Sequence, residues 1–143
     1  MRTHWFVVPV VVAFGQFGCR GADPTSESIA TAVASGPWTR LALVDHAAVP
    51  WEKACIFGPY SPDDTIDAVT GIRGAASRAY DIRSSDAINV VLFIHDGNVV
   101  ASVAHPRKGD FGPDVVGQCY ARERSVFLVR IPPTNSWGNI GPS

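Results

Sequence analysis

The chain has no block of like charge. Its 143 residues carry 12 Lys and Arg against 13 Asp and Glu, a formal net charge of −1. The basic residues form no stripe, so the electrostatic footprint that holds nucleic acid is missing and no nucleic-acid partner is expected. No apolar run reaches the twenty or so residues that an ordinary membrane-spanning helix needs. Metal-ligand clusters, a P-loop, a dinucleotide-binding glycine fingerprint and a serine nucleophile elbow are also lacking. No cofactor and no metal are therefore expected. No internal repeat is found.

What is present suits one domain with a real core, since 46% of the residues are hydrophobic. The most legible stretch is residues 89–105, two apolar runs flanking Asp96-Gly97. Asp-Gly in that setting is the strongest short hairpin signal, because a type I′ turn needs positive φ at both central residues. A two-residue loop pairs His95 with Asn98, Ile94 with Val99, Leu92 with Ala101 and Val90 with Val103. That register collects Val90, Leu92, Ile94, Val99, Ala101 and Val103 on one face. A one-residue slip would set Leu92 against Ser102 and mix the faces, so the unslipped register is expected. The second face, with Val91, Phe93 and Val100, is half apolar, and part of each face is expected to be covered. His95 then sits at the turn and His105 opposite Ile88 at the far end. At roughly 3.4 Å per residue they are on the order of 20 Å apart and share neither a metal nor a proton.

The N-terminus reads as a targeting segment. A short basic start precedes an apolar run over residues 5–14, the length of a signal-peptide core. Two exits are open: cleavage at the small-x-small site Ala13-x-Gly15, or lipoprotein processing at Cys19. Gly18-Cys19 resembles a bacterial lipobox, with Gln16 departing from the aliphatic residue usual there. Lipidation of Cys19 would leave Cys55 and Cys119 as an even pair, expected to form a disulfide in an oxidising compartment. The expected organisation is a signal peptide over 1–18, a flexible tether over 19–36 with at most a weak helix over 25–34, a globular domain over 37–133 and a C-terminal tail over 134–143.

Within the domain, residues 38–44 read as a first strand or short helix and residues 51–57 as a strand. Ser61-Pro62-Asp63-Asp64 reads as a helix start, with Ser61 as N-cap, Pro62 at the first helical position and the two acids on the positive end of the dipole. Ile66, Val69 and Thr70 would face inward, and Gly71 and Gly74 would end the helix. Tyr80 and Ile82 suggest a short edge strand, and residues 114–120 are ambiguous. Residues 125–131 form a strand apolar on both faces, hence central. The sum is an α+β fold, a small antiparallel sheet with a central hairpin at about 88–105 packed by one or two short helices.

Phe57, Pro59, Tyr60 and Ser61, the turn Asp96-Gly97, and Pro106, Arg107, Gly109, Asp110 and Phe111 recur in order. The chain thereby resembles a group of short, uncharacterised bacterial secreted proteins and lipoproteins over residues 51–112. That resemblance implies export and a fold, and no reaction. The ligand-binding candidates are His105, Arg107, Lys108 and Asp110, in a loop whose N–H groups and charge suit an anion. Asp63 and Asp67 share a helix face but are read as dipole partners, not as a cation site. The expected function is an exported, lipid-anchored cell-envelope protein that binds an envelope partner or serves a structural role, held to the membrane by its acyl anchor. The alternative is a small exported hydrolase or transferase using loop-borne Asp and His residues.

Overall fold

The computed structural model describes residues 23–130 and 140–143. Over these, the chain forms α1 (Pro24–Ala34), β1 (Arg40–Ala42), β2 (Lys53–Phe57), α2 (Asp63–Thr70), β3 (Ile88–His95), β4 (Asn98–Pro106), β5 (Gln118–Ala121), β6 (Val126–Val129) and β7 (Ile140–Pro142), joined in part by 3-10 turns. Strands β4-β3-β2-β5 make one antiparallel sheet and β1-β6-β7 a second. The fold is α+β as expected, with the sheet in two parts. β6 is central in the smaller one.

The larger sheet is covered on both sides. Alternation along β3 sends Val90, Leu92 and Ile94 to one face, where they pack with Cys55, Phe57, Ile66 and Ile82 under α2 and the 3-10 turns. Val91 and Phe93 point the other way, into a core shared with Leu41, Phe127 and Ile140 of the second sheet and Ile29 of α1. Most of these side chains are fully buried.

The hairpin turn is as the sequence indicates, with φ of 47° at Asp96 and 69° at Gly97. Its register is not. His95 pairs with Asn98 and Ile94 with Val99, but Phe93 then pairs with Ala101, Leu92 with Ser102 and Val91 with Val103. Val100 is the extra residue of a β-bulge, which carries the rest of β4 over to the other face. Ala101 and Val103 therefore join the core around Phe93. His105 lies opposite Asn89, not Ile88.

Four further expectations are corrected. The tether expected over 19–36 is, from residue 24, the helix α1. Asp23 caps it by accepting from the Thr25 N–H at 2.8 Å, Pro24 opens it, and Ile29 is fully buried. The domain thus includes this segment and does not begin at 37. The tail expected over 134–143 ends in β7, whose Ile140 is in the core. Helix α2 begins at Asp63. Ser61 does not cap it, because its hydroxyl turns back to donate to the Gly58 carbonyl at 2.7 Å. Residues 80–81 form a turn and Ile82–Ser84 a 3-10 turn in place of an edge strand. Residues 131–139, the expected signal peptide over 1–18 and Cys19 lie outside the described residues. Among those described, no helix is long and apolar enough to cross a membrane.

Cys55 and Cys119 face each other directly across β2 and β5 and are joined in a disulfide. This cross-link indicates an oxidising compartment. Asp67 serves α2's exit rather than a cation. Its carboxylate accepts from the Gly74 N–H at 2.6 Å and the Ala76 N–H at 3.0 Å, and these backbone bonds hold its pKa below the usual range. Asp63 pairs with Arg83 on the surface at 3.2 Å.

Candidate functional site: the cleft between α1 and the end of β4

The bulge in β4 decides what the loop after it can do. With His105 turned inward, its ring is only 1% exposed and meets α1. Ser26, in the first turn of α1 and 5% exposed, places its Oγ 2.9 Å from His105 Nδ1. The other ring nitrogen, Nε2, is buried without a hydrogen-bond partner. It lies so close to Gly109 that a Cβ there would sit 2.7 Å away. Gly109 is thus required by close approach and not by backbone freedom. Phe111 meets the imidazole edge-on, with ring centroids 6.3 Å apart.

The remaining candidates are tied to one another. Asp110, 5% exposed, accepts from Asn89 Nδ2 at 2.7 Å through Oδ1 and from Arg107 Nε and Nη2 at 3.1 and 2.7 Å through Oδ2. The paired Asp110 raises the Arg107 pKa above its usual value. Arg107 also donates to the Asp86 carbonyl, and its N–H to the Ala87 carbonyl. The Tyr60 N–H reaches the Ile82 and Ser85 carbonyls. The motif residues before α2 and after β4 therefore fasten the same short stretch, 82–87. Arg107 and Asp110 act as a clasp that shapes the loop, which removes the main reason to read the loop as an anion site. The side chain of Lys108 lies outside the described residues.

Behind the clasp, an open cleft of about 440 Å³ runs between α1 and the end of β4. Ala30, Val33 and Ala34 form its helix wall, and Pro106 and Gly109 face them. Ser26 and His105 close its inner end, with Glu27 alongside. The cleft is apolar, with one buried polar pair at its floor, the arrangement typical of a small-ligand pocket.

No family model, no curated protein and no solved structure matches this chain. The site is therefore read from its own geometry.

Sequence reasoning placed His105 and Asp110 in the candidate set and missed Ser26 and Asn89. His95 does stand apart at the hairpin tip. It is 3.3 Å from Glu52 and 3.6 Å from Asp96, with all three side chains substantially exposed. These three residues have ligand atoms near enough to share a cation. Their two carboxylates engage different nitrogens of the ring, however, so the imidazole would have to turn away from one of them to help a metal.

Burial lowers the His105 pKa below the ordinary 6.5, while the Gly109 backbone and Asp110 pull weakly the other way. The sign of the consequence is fixed by linkage. Below pH 6.5 the unfolded chain takes up the proton before the folded one does. His105 therefore contributes stability that is fully present above pH 6.5 and is lost as pH falls through the folded value. Half-buried His46 contributes in the same sense, with Asp45 opposing. His105→Gln should flatten the rise of unfolding free energy with pH below 6.5 relative to the parent, measured by urea melts at several pH values. An unchanged slope would exclude His105 as a source.

Proposed function

We propose that this chain is an exported cell-envelope protein that works as a binding module, taking a small, mostly apolar ligand in the cleft between α1 and β4. The observation that carries the binding reading is the cleft itself, apolar along its walls and ending on the buried Ser26–His105 pair. The Cys55–Cys119 bond supports an oxidising location, and the apolar run over residues 5–14 together with Gly18-Cys19 supports export with an acyl anchor on Cys19. Glu27 beside the polar end disfavours an anionic head group and favours a hydroxyl or a cation. A hydrolase built on His46, His95 and Asp110 gains little from the geometry, since these three lie in separate environments. The resemblance to secreted proteins and lipoproteins fits the same location.

One preparation tests both parts. Protein purified from the producing cells should have an intact mass starting at Cys19 and carrying acyl groups. Titrated with 1-octanol, it should show amide shifts centred on Ala30, Val33 and Gly109, and Ala30→Phe should remove them by filling the cleft. A mass starting elsewhere without acyl groups would sink the anchor. Shifts that are absent, or insensitive to the filled cleft, would sink the binding role.

A further inference from the structure

Ser26 and His105 hold the geometry of an activated hydroxyl, 79 residues apart in sequence and at the floor of an open cleft. We propose that Ser26 is a nucleophile, that His105 is its general base, and that the cleft presents to them neutral esters of short apolar acyl groups. The inference rests on the binding reading of the cleft.

Distance, surroundings and lining carry it. The Oγ-to-Nδ1 distance of 2.9 Å is the reach that proton transfer requires. For Ser26 to donate, Nδ1 must be bare and the proton must sit on Nε2, whose neighbour is Gly109, the backbone that pulls the imidazole pKa upward. The substrate class follows from the walls. Ala30, Val33 and Pro106 offer an apolar acyl chain its contacts, and Glu27 repels a free carboxylate. The groups around the imidazole are Glu27 from α1, the neutral Asn89 across from it on β3, and Arg107 and Asp110 from the loop, which neutralise each other. Burial keeps the imidazole neutral at pH 7, the state a base needs.

The chemistry is balanced without a co-reactant. Ser26 Oγ attacks the ester carbonyl carbon and its proton passes to Nδ1, while the carbonyl electron pair moves onto oxygen. Collapse breaks the bond to the alcohol oxygen, which leaves with the proton from Nδ1. Water then attacks the acyl group on Ser26, gives a proton to Nδ1, and the released Ser26 oxygen takes that proton back. Ester and water become acid and alcohol.

The test is 4-nitrophenyl butyrate on the full-length protein, followed by peptide mass mapping. The expected result is a burst of nitrophenolate, one butyryl group on Ser26, and a rate that falls as pH drops through the lowered His105 pKa. Ser26→Ala should abolish the adduct while amide exchange over α1 and β4 stays as in the parent, which shows that the cleft walls are still formed. His105→Gln should slow acylation by roughly 100-fold and remove its pH dependence. No butyryl on Ser26 while octanol still binds overturns the nucleophile and leaves the binding reading standing. An adduct confined to other residues overturns it as well. Loss of octanol binding in the parent protein overturns both.

Discussion

Opening the Cys55–Cys119 bond, by reduction or by replacing both residues with alanine, is expected to lower the unfolding free energy by about 4 kcal/mol. The two cysteines are 64 residues apart, and the bond removes from the unfolded chain the entropy of a loop of that length. The folded state has little to set against the loss. β5 is a four-residue strand that pairs only with β2, and the bond joins the two strands at a directly opposed pair. The cross-link thus holds an edge strand to the sheet as well as restricting the unfolded chain. A fall in melting temperature of roughly 15 °C is expected for a domain of this size. The denaturant slope should steepen, because the reduced unfolded chain exposes more surface. Thermal and urea melts with and without a phosphine reductant make the measurement. A midpoint that does not move under full reduction would mean that the bond does not stabilise the fold, and would weaken the argument for an oxidising compartment.

The bond itself was legible in the sequence because it follows from counting. Once Cys19 is set aside for processing, two cysteines remain. The hairpin turn was legible because Asp96-Gly97 has few alternatives. The register was not, and the reason is physical. A slip is costly where mixing the two faces of a hairpin exposes apolar residues. Both faces are in fact buried, one under α2 and its turns, the other under α1 and the second sheet. Moving Ala101 and Val103 across costs little when an apolar core waits on either side, so pattern alone does not fix the register of a two-sided sheet.

The same bulge hid the site. In the straight register His105 falls opposite Ile88 and belongs to the loop. In the bulged one it turns inward opposite Asn89 and meets Ser26. No local spacing links positions 26 and 105. Helix α1 was hard to see because much of its inner surface is Thr25, Ser26, Ala32 and Val33, with Ile29 the one large apolar residue. A hydrophobic stripe barely exists there. The signal that was available is the start, since Asp23-Pro24 with Glu27 in the first turn is a helix opening in its own right. That cap, more than the weak stripe, marks where the domain begins.

Asp110→Ala is expected to cost about 3 kcal/mol, far more than its position in a loop would suggest. The carboxylate is nearly buried, and its two oxygens serve different partners, Asn89 on one side and Arg107 on the other. Removing it leaves a fully buried amide donor with nothing to bond and takes the countercharge from a guanidinium whose side chain is 23% exposed. The residual exposure of Arg107 lets water recover part of that loss, so the figure sits at the low end for a buried pair. Asp110→Asn keeps an acceptor for Asn89 while losing the charge, and should cost about half as much. The surface pair between Arg83 and Asp63 supplies the contrast. Both of its side chains are more than half exposed, and Asp63→Ala should change stability by no more than about 0.5 kcal/mol. Urea midpoints of the three variants give the comparison, and Asp110→Ala matching Asp63→Ala would show that the clasp carries no energy. Because Gly109 sits between the clasp and the imidazole, the Asp110 variants should also speed amide exchange over residues 107–111 and loosen the outer wall of the cleft. The clasp and the cleft are therefore one construction, in which a charge pair outside sets the position of a glycine, and the glycine sets the room left for a ligand beside His105.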